Sequence, residues 1–119
     1  MGEYKFQSLL VYQLSLDYID QVYDLVNGLP VSEKFNLSSQ LVRAATSIAL
    51  NLAEGSTAQS NQEQVRFLTI ALRSYLETIA CLDLIQRRNY LSPEKMLGVR
   101  STGRTLFYKL TRFRKVLQN

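Results

Sequence analysis

The chain has 119 residues, of which 46% are hydrophobic and 20% charged, with two prolines, five glycines and a formal net charge of +4. This is the composition of one soluble, folded domain spanning residues 1–119, too short for two hydrophobic cores and too apolar to stay disordered. The absence of histidine and the single cysteine, Cys81, remove Ser-His-Asp and Cys-His nucleophile systems, disulfide frameworks, cysteine-rich zinc sites and the commonest metal ligand.

The opening MGEYKFQSLL lacks the apolar core of a signal peptide, and no run of about 18 apolar residues is present to span a bilayer, so a cytoplasmic location and no membrane partner are expected. Ser8 is placed as the N-cap of a first helix in which Leu9, Tyr12, Leu16, Ile19, Tyr23 and Val26 alternate spacings of three and four, and Gly28 and Pro30 end it. A second helix is expected from Ser38 to about Ala58, with Leu37 and Val42 placed as a hydrophobic staple.

Within this second helix, QLVRAATSIALNLAEG spaces Gln40, Arg43, Ser47, Asn51 and Glu54 at intervals of three or four. At about 100° per residue they fall within an arc of roughly 80°. Leu41, Ala45, Ile48 and Leu52 form the opposite, apolar stripe. Val42, Ala49 and Ala53 on one flank and Ala44 and Leu50 on the other leave a polar face narrower than a surface helix normally has. Either the helix is deeply buried or another chain covers the extra flank. The polar row admits three roles: a solvated face, a network fixing helix or subunit packing, or a nucleic-acid or small-ligand site. Glu54 is a lone carboxylate without a base partner, which gives no acid-base pair for chemistry.

SNQE, Ser60 to Glu63, is a capping-box pattern, and the helix that follows sets Val65, Leu68, Leu72, Tyr75, Ile79 and Leu82 on one side up to about Asn89. Cys81 falls within it as a buried structural thiol. Arg87 and Arg88 sit in its last turn, where the helix dipole favours cations. Ser92-Pro93 then gives an N-cap followed by proline at the first helical position of a fourth helix, whose seam is Val99, Gly103, Leu106, Leu110, Phe113 and Leu117. Helices joined by short links imply antiparallel neighbours, so the expected fold is an all-α, antiparallel up-and-down four-helix bundle.

The fourth helix is also the basic element. Residues 93–119 hold seven Lys or Arg against one acid, Glu94, for a net +6, whereas the remainder holds seven bases against nine acids, a net −2. Arg100, Arg104, Tyr108, Arg112 and Lys115 project away from its seam as a basic stripe carrying one aromatic, suited to phosphates and an unstacked base. The alternative is a solubilising face near a helix C-terminus. No glycine-rich phosphate loop, metal cluster or acid-base pair is visible, so neither an enzyme nor a cofactor is expected.

Residues 29–55, LPVSEKFNLSSQLVRAATSIALNLAEG, resemble the bacterial four-helix-bundle family encoded in intervening sequences of 23S ribosomal RNA genes, the S23-type ribosomal proteins. Leu29-Pro30, Glu33, Phe35, Leu37, Ser39-Gln40, Arg43-Ala44-Ala45, Ser47-Ile48, Asn51 and Ala53-Glu54-Gly55 carry the resemblance. Phe67-Leu68, Ile70-Ala71, Ser74, Glu77 and Tyr90-Leu91 extend it. Departures are Asn36 where glycine is common, Val42 in place of the first arginine of an Arg-Arg pair, and Ala49 where proline is usual. The resemblance implies a four-helix bundle, commonly a ring-like homopentamer. It also implies kinship with the accessory protein of the reverse transcriptase in diversity-generating retroelements, where a basic surface engages nucleic acid. The expected function is therefore a non-enzymatic homo-oligomer that binds structured RNA, or a ribonucleoprotein such as a reverse transcriptase complex, through the fourth helix. The alternative is a protein-protein interaction scaffold without nucleic-acid binding.

Overall fold

A computed structural model describes residues 2–119. After a 3-10 turn at Lys5–Ser8 come α1 (Leu10–Val26), α2 (Leu37–Gly55), α3 (Asn61–Arg87) and α4 (Pro93–Gln118), with a second 3-10 turn, Val31–Glu33, between α1 and α2. Each helix packs on its neighbour in sequence and α1 closes against α4, while the backbones of the diagonal pairs stay apart. The chain is thus an all-α, up-and-down four-helix bundle, as its periodicity predicts.

The capping chemistry sets the helix starts. Ser60 accepts from the Glu63 amide at 3.1 Å to open α3, and Ser92 accepts from Lys95 to open α4 with Pro93 in its first turn. At the far end of α3, Asn89 takes φ +59°, and the amides of Asn89 and Tyr90 return to the carbonyls of Gln86 and Ile85. That pair of bonds is a Schellman closure, and it ends α3 just before the expected Asn89.

Three boundaries or stripes differ from expectation. α1 begins at Leu10 with Leu9 as an N-cap that uses no side chain, because the 3-10 turn carries the chain through Ser8. α2 begins at Leu37 and ends at Gly55 rather than Ala58. Ser56 and Thr57 turn their hydroxyls back onto the carbonyls of Ala53 and Glu54, satisfying backbone groups that a longer helix would use. The core stripe of α1 is Val11, Ser15, Tyr18, Val22 and Leu25, with Ile19 beside it; Leu9, Tyr12, Leu16 and Val26 are half-buried, and Tyr23 is exposed. Ser15 tolerates full burial because its hydroxyl donates to the Tyr12 carbonyl at 2.6 Å.

At the centre of the bundle, Thr78 of α3 donates to the Tyr75 carbonyl, so its oxygen is left to accept from the Tyr18 phenol of α1 at 2.7 Å. Both residues are fully buried, and burial pushes the Tyr18 phenol up to about 12, which keeps it a neutral donor. Tyr18 and Tyr75 pack with ring centroids 5.8 Å apart. Gly103 of α4 lies against both: a Cβ there would come within 2.9 Å of Tyr18 Cε1 and 3.0 Å of Tyr75 Cε1. Around this centre Leu41, Ile48, Leu82, Ile85, Met96, Leu106 and Leu110 are fully buried, each side chain contributing about 1.5–3 kcal/mol. Cys81 is buried beside them, and burial raises its thiol above the ordinary range, as a structural cysteine requires.

The two glycines of α4 therefore have opposite roles. Gly98 has nothing within 4 Å of the position a Cβ would take. Gly103→Ala is expected to destabilise by about 1–3 kcal/mol through overpacking. Gly98→Ala should gain up to about 1 kcal/mol from helix propensity alone. Urea unfolding of the two variants checks this, and equal effects would contradict the packing at Gly103.

Candidate nucleic-acid interface

Because Gly103 must face the two tyrosines, the rotation of α4 is fixed, and the residues one and five further on are turned to the outside. Arg104, Tyr108, Arg112 and Lys115 are all exposed. Arg112 Nη1 donates to the Tyr108 hydroxyl at 3.0 Å, and its guanidinium lies over the ring, 5.7 Å from the centroid. One face of Tyr108 is thus covered by a cation, which leaves the other face to stack.

Arg100 behaves differently from the rest of the stripe. Its side chain is 21% exposed and reaches α3, where Nη2 donates to Asp83 Oδ1 at 3.1 Å and to Gln86 Oε1 at 3.2 Å. It is a strut between α3 and α4, and the outward stripe begins at Arg104. Arg114, outside the expected stripe, is a second strut that donates to Thr69 Oγ1 at 3.3 Å.

The polar row of α2 divides. Ser47 Oγ meets Ser74 Oγ of α3 at 2.9 Å, and Asn51 Nδ2 donates to the Ser47 carbonyl at 2.8 Å and to its hydroxyl at 3.1 Å. These two residues are half-buried and tie α2 to α3. Gln40 donates to Asn36 Oδ1 at 2.8 Å within the start of α2, while Arg43 and Glu54 are exposed and make no ion pair among the described residues. The middle of the row is packing and its ends are solvent face. The extra apolar circumference of α2 is mostly covered within the chain: Ala44 and Ala49 are buried, Val42 and Ala53 half-buried, and Leu50 alone remains 62% exposed. Gly55 is buried where a Cβ would fall 2.9 Å from Phe67 Cβ, so the end of the Ala-Glu-Gly motif lets α2 approach α3 closely.

Sequence reasoning missed a latch at the opposite end of the bundle. Tyr90, just after α3, donates to Glu33 Oε2 at 2.7 Å, while Asn36 and the Leu37 amide donate to Glu33 Oε1 at 3.0 and 3.4 Å. The α1–α2 link is thereby tied to the α3–α4 turn. The signal was present only as Glu33 and Tyr90 in the resemblance, since nothing in their spacing joins residues so distant in the chain.

The family profile of the 23S rRNA-intervening sequence proteins matches residues 7–112. This chain belongs to that family. A crystal structure of a protein of unknown function from the S23 ribosomal protein family of Bacteroides thetaiotaomicron superposes with a TM-score of 0.81 at 29% identity, covering 89% of this chain and 99% of that one. No curated protein matches the chain significantly. The motif residues named from the sequence acquire physical roles in this family member: Ser47, Asn51, Gly55, Phe67 and Ser74 knit α2 to α3, and Glu33 and Tyr90 form the latch.

The Tyr90 hydrogen bond is the largest influence holding the Glu33 carboxyl below the ordinary carboxylate range. A carboxyl lowered by folding adds stability that is complete above its unfolded pKa and is lost as pH falls through its folded one. Tyr90→Phe should therefore lower Tm at neutral pH, and the difference from wild type should shrink as pH falls through and below the carboxylate range. Thermal unfolding from pH 7 to pH 3 checks it; a constant difference would mean that the latch does not depend on the charged carboxylate.

Proposed function

We propose that this protein is a non-enzymatic, homo-oligomeric bundle that associates with structured RNA or a ribonucleoprotein through the outward face of α4. The observation that carries this function is the run Arg104, Tyr108, Arg112 and Lys115, exposed on one helix that holds a single acid, Glu94, in its first turn. Cations repeated along a rigid element add their potentials at a phosphate backbone, and an aromatic among them supplies a sequence-tolerant platform for an unstacked base. The S23 ribosomal protein family of the structural neighbour and the 23S rRNA context of the family profile point to the same class of partner. Homo-oligomerisation repeats the stripe around an assembly and raises its combined attraction for one RNA. A protein-interaction scaffold is the second function to weigh, because Leu50, Leu76 and Leu84 stand exposed on α2 and α3.

With Arg100 bound to Asp83, about three cations per stripe are free to neutralise phosphates, so log affinity should fall against log salt with a slope of roughly −2 to −3. Replacing Arg104, Arg112 and Lys115 together by Gln should flatten that slope while helicity is unchanged. Tyr108→Ala should weaken looped or single-stranded RNA by about 1–3 kcal/mol and leave a fully paired duplex almost unaffected. Filter binding over a salt series is the measurement. No binding at low salt, or identical slopes for wild type and triple variant, would overturn the RNA function and leave the scaffold.

A further inference from the structure

The seam between α1 and α4 is the open one. Three depressions of about 320, 460 and 470 Å³ follow one another along it. The first, where α1 begins, is apolar, walled by Leu10, Phe113 and Val116 with Lys109 and Arg112 on its rim. The second and third carry Asp17, Asp20 and Asp24 against small α4 residues, Ser101, Thr102, Thr105 and Gly98, with Lys95 as the one cation. Gln21 lines both and holds a buried amide oxygen that has no hydrogen-bond partner among the described residues. α1 contains these three aspartates and neither Lys nor Arg.

On the far side of the bundle, the outward ridge of α3 has the complementary pattern. Arg66 and Arg73 are exposed in its first half. In its second half Ala80 is exposed between Leu76 and Leu84, each 52% exposed, so that a small residue makes a notch between two large ones. Among the described residues none buries these side chains, and an apolar ridge rimmed by charge marks a surface built for a partner.

The spacing sets how the two surfaces meet. Leu10, Asp17 and Asp24 recur every seven residues on α1, and Arg66, Arg73 and Ala80 recur every seven on α3. Seven residues are about 10.5 Å of helix and return nearly to the same face. Laid antiparallel, Asp24 meets Arg66, Asp17 meets Arg73, and Leu10, 59% exposed, drops into the Leu76–Ala80–Leu84 notch. Laid parallel, the same two ion pairs leave Leu10 beyond the start of α3. In the antiparallel register the cations of the apolar end, Lys109 and Arg112, meet the stretch of α3 whose outward charge is Glu77 rather than an arginine.

We infer that a second copy of this chain docks here: the α3 ridge of one protomer lies antiparallel to α1 in the α1–α4 groove of the next. The contact is heterologous, using two different surfaces, so each added protomer presents a fresh groove and the chain of contacts closes into a ring or continues as a filament. The inference rests on the homo-oligomeric assembly proposed above. It also supplies donors, the arginine guanidinium groups, along the row where Gln21 lacks a partner. Arg104, Tyr108 and Lys115 do not line the groove, and Arg112, on the rim of its apolar end, is the one member of the basic stripe that borders the contact.

Charge reversal tests it. The wild type should sediment well above one chain in moderate salt. Arg66→Glu with Arg73→Glu, and separately Asp17→Arg with Asp24→Arg, should each run as a folded monomer. The quadruple variant, which restores opposite charges across the same register, should recover the wild-type mass. If either double variant keeps the wild-type mass, or if the quadruple variant stays monomeric, this contact is wrong although the assembly stands. A monomeric wild type at high concentration would remove the assembly itself.

Discussion

The hydrogen-bond chain from Tyr18 through Thr78 to the Tyr75 carbonyl is the constraint around which the bundle is arranged. It is the point where the diagonal helices α1 and α3 touch, and it lies in a region from which water is excluded. Losing one partner would leave a buried polar atom unsatisfied at a cost of about 1–3 kcal/mol. That asymmetry holds α1 in one rotation and one height relative to α3. Two tyrosine rings side by side leave no volume for a side chain from α4, and Gly103 is the consequence. With Gly103 inward, Arg104 and Tyr108 are carried outward and Phe107 is laid against Tyr75, 5.2 Å between ring centroids. The direction of the candidate RNA-binding stripe is thus set by a polar contact at the centre of the core.

What was legible in the chain follows the range over which each signal acts. Caps and breakers are local chemistry, so Ser60, Ser92-Pro93 and the seam of α4 could be read directly, and the all-α bundle with them. The core face of α1 differs from the one its apolar spacing predicts because it contains Ser15 and Tyr18, whose burial depends on hydrogen bonds that a pattern of apolar residues does not reveal. α2 ends before the expected Ala58 because the hydroxyls of Ser56 and Thr57 return to the carbonyls of Ala53 and Glu54, a closure that helical periodicity does not show. Arg100 read as one more outward cation, since a partner such as Asp83, on the preceding helix, is invisible to helical periodicity. The same limit hid the Glu33–Tyr90 latch and the division of the α2 polar row into packing and solvent parts.

The polar row illustrates how a family motif and a functional site can be different things. Ser47 and Asn51 face α3 and share their hydrogen bonds with Ser74. Leucine or alanine at these positions would pack by shape alone, whereas a hydrogen bond adds a distance and direction requirement to the register that packing sets. A hydroxyl pair at 2.9 Å specifies one height of α2 on α3. Gly55, eight residues further along α2, then permits the close approach that this height demands. Sequence specificity in this segment is accounted for by the α2–α3 contact, which leaves recognition to the charged surfaces.

Those surfaces are arranged unevenly. α1 and α4 are neighbours, one with three aspartates and no cation, the other with seven cations and one acid, yet the one ion pair among the described residues joins α4 to α3. Small residues of α4, Ser101, Thr102 and Thr105, line the seam opposite Asp17 and Asp20, so no long cation is positioned there to neutralise them. Exposed ion pairs are worth little to folding, roughly 0–1 kcal/mol, so leaving these charges unmatched costs the monomer little. The effect on association is larger, because opposite potentials on separate faces orient an approaching body and suppress wrong encounters. An acidic groove and a basic face thus lie on different sides of one bundle. Under the proposed function the groove would receive the cations of a neighbouring copy and the stripe the phosphates. The two surfaces meet only at Arg112, on the rim of the groove, so the assembly proposed above would leave Arg104, Tyr108 and Lys115 outside its contacts and repeat them around one body, which is what the proposed attraction for a polyanion requires.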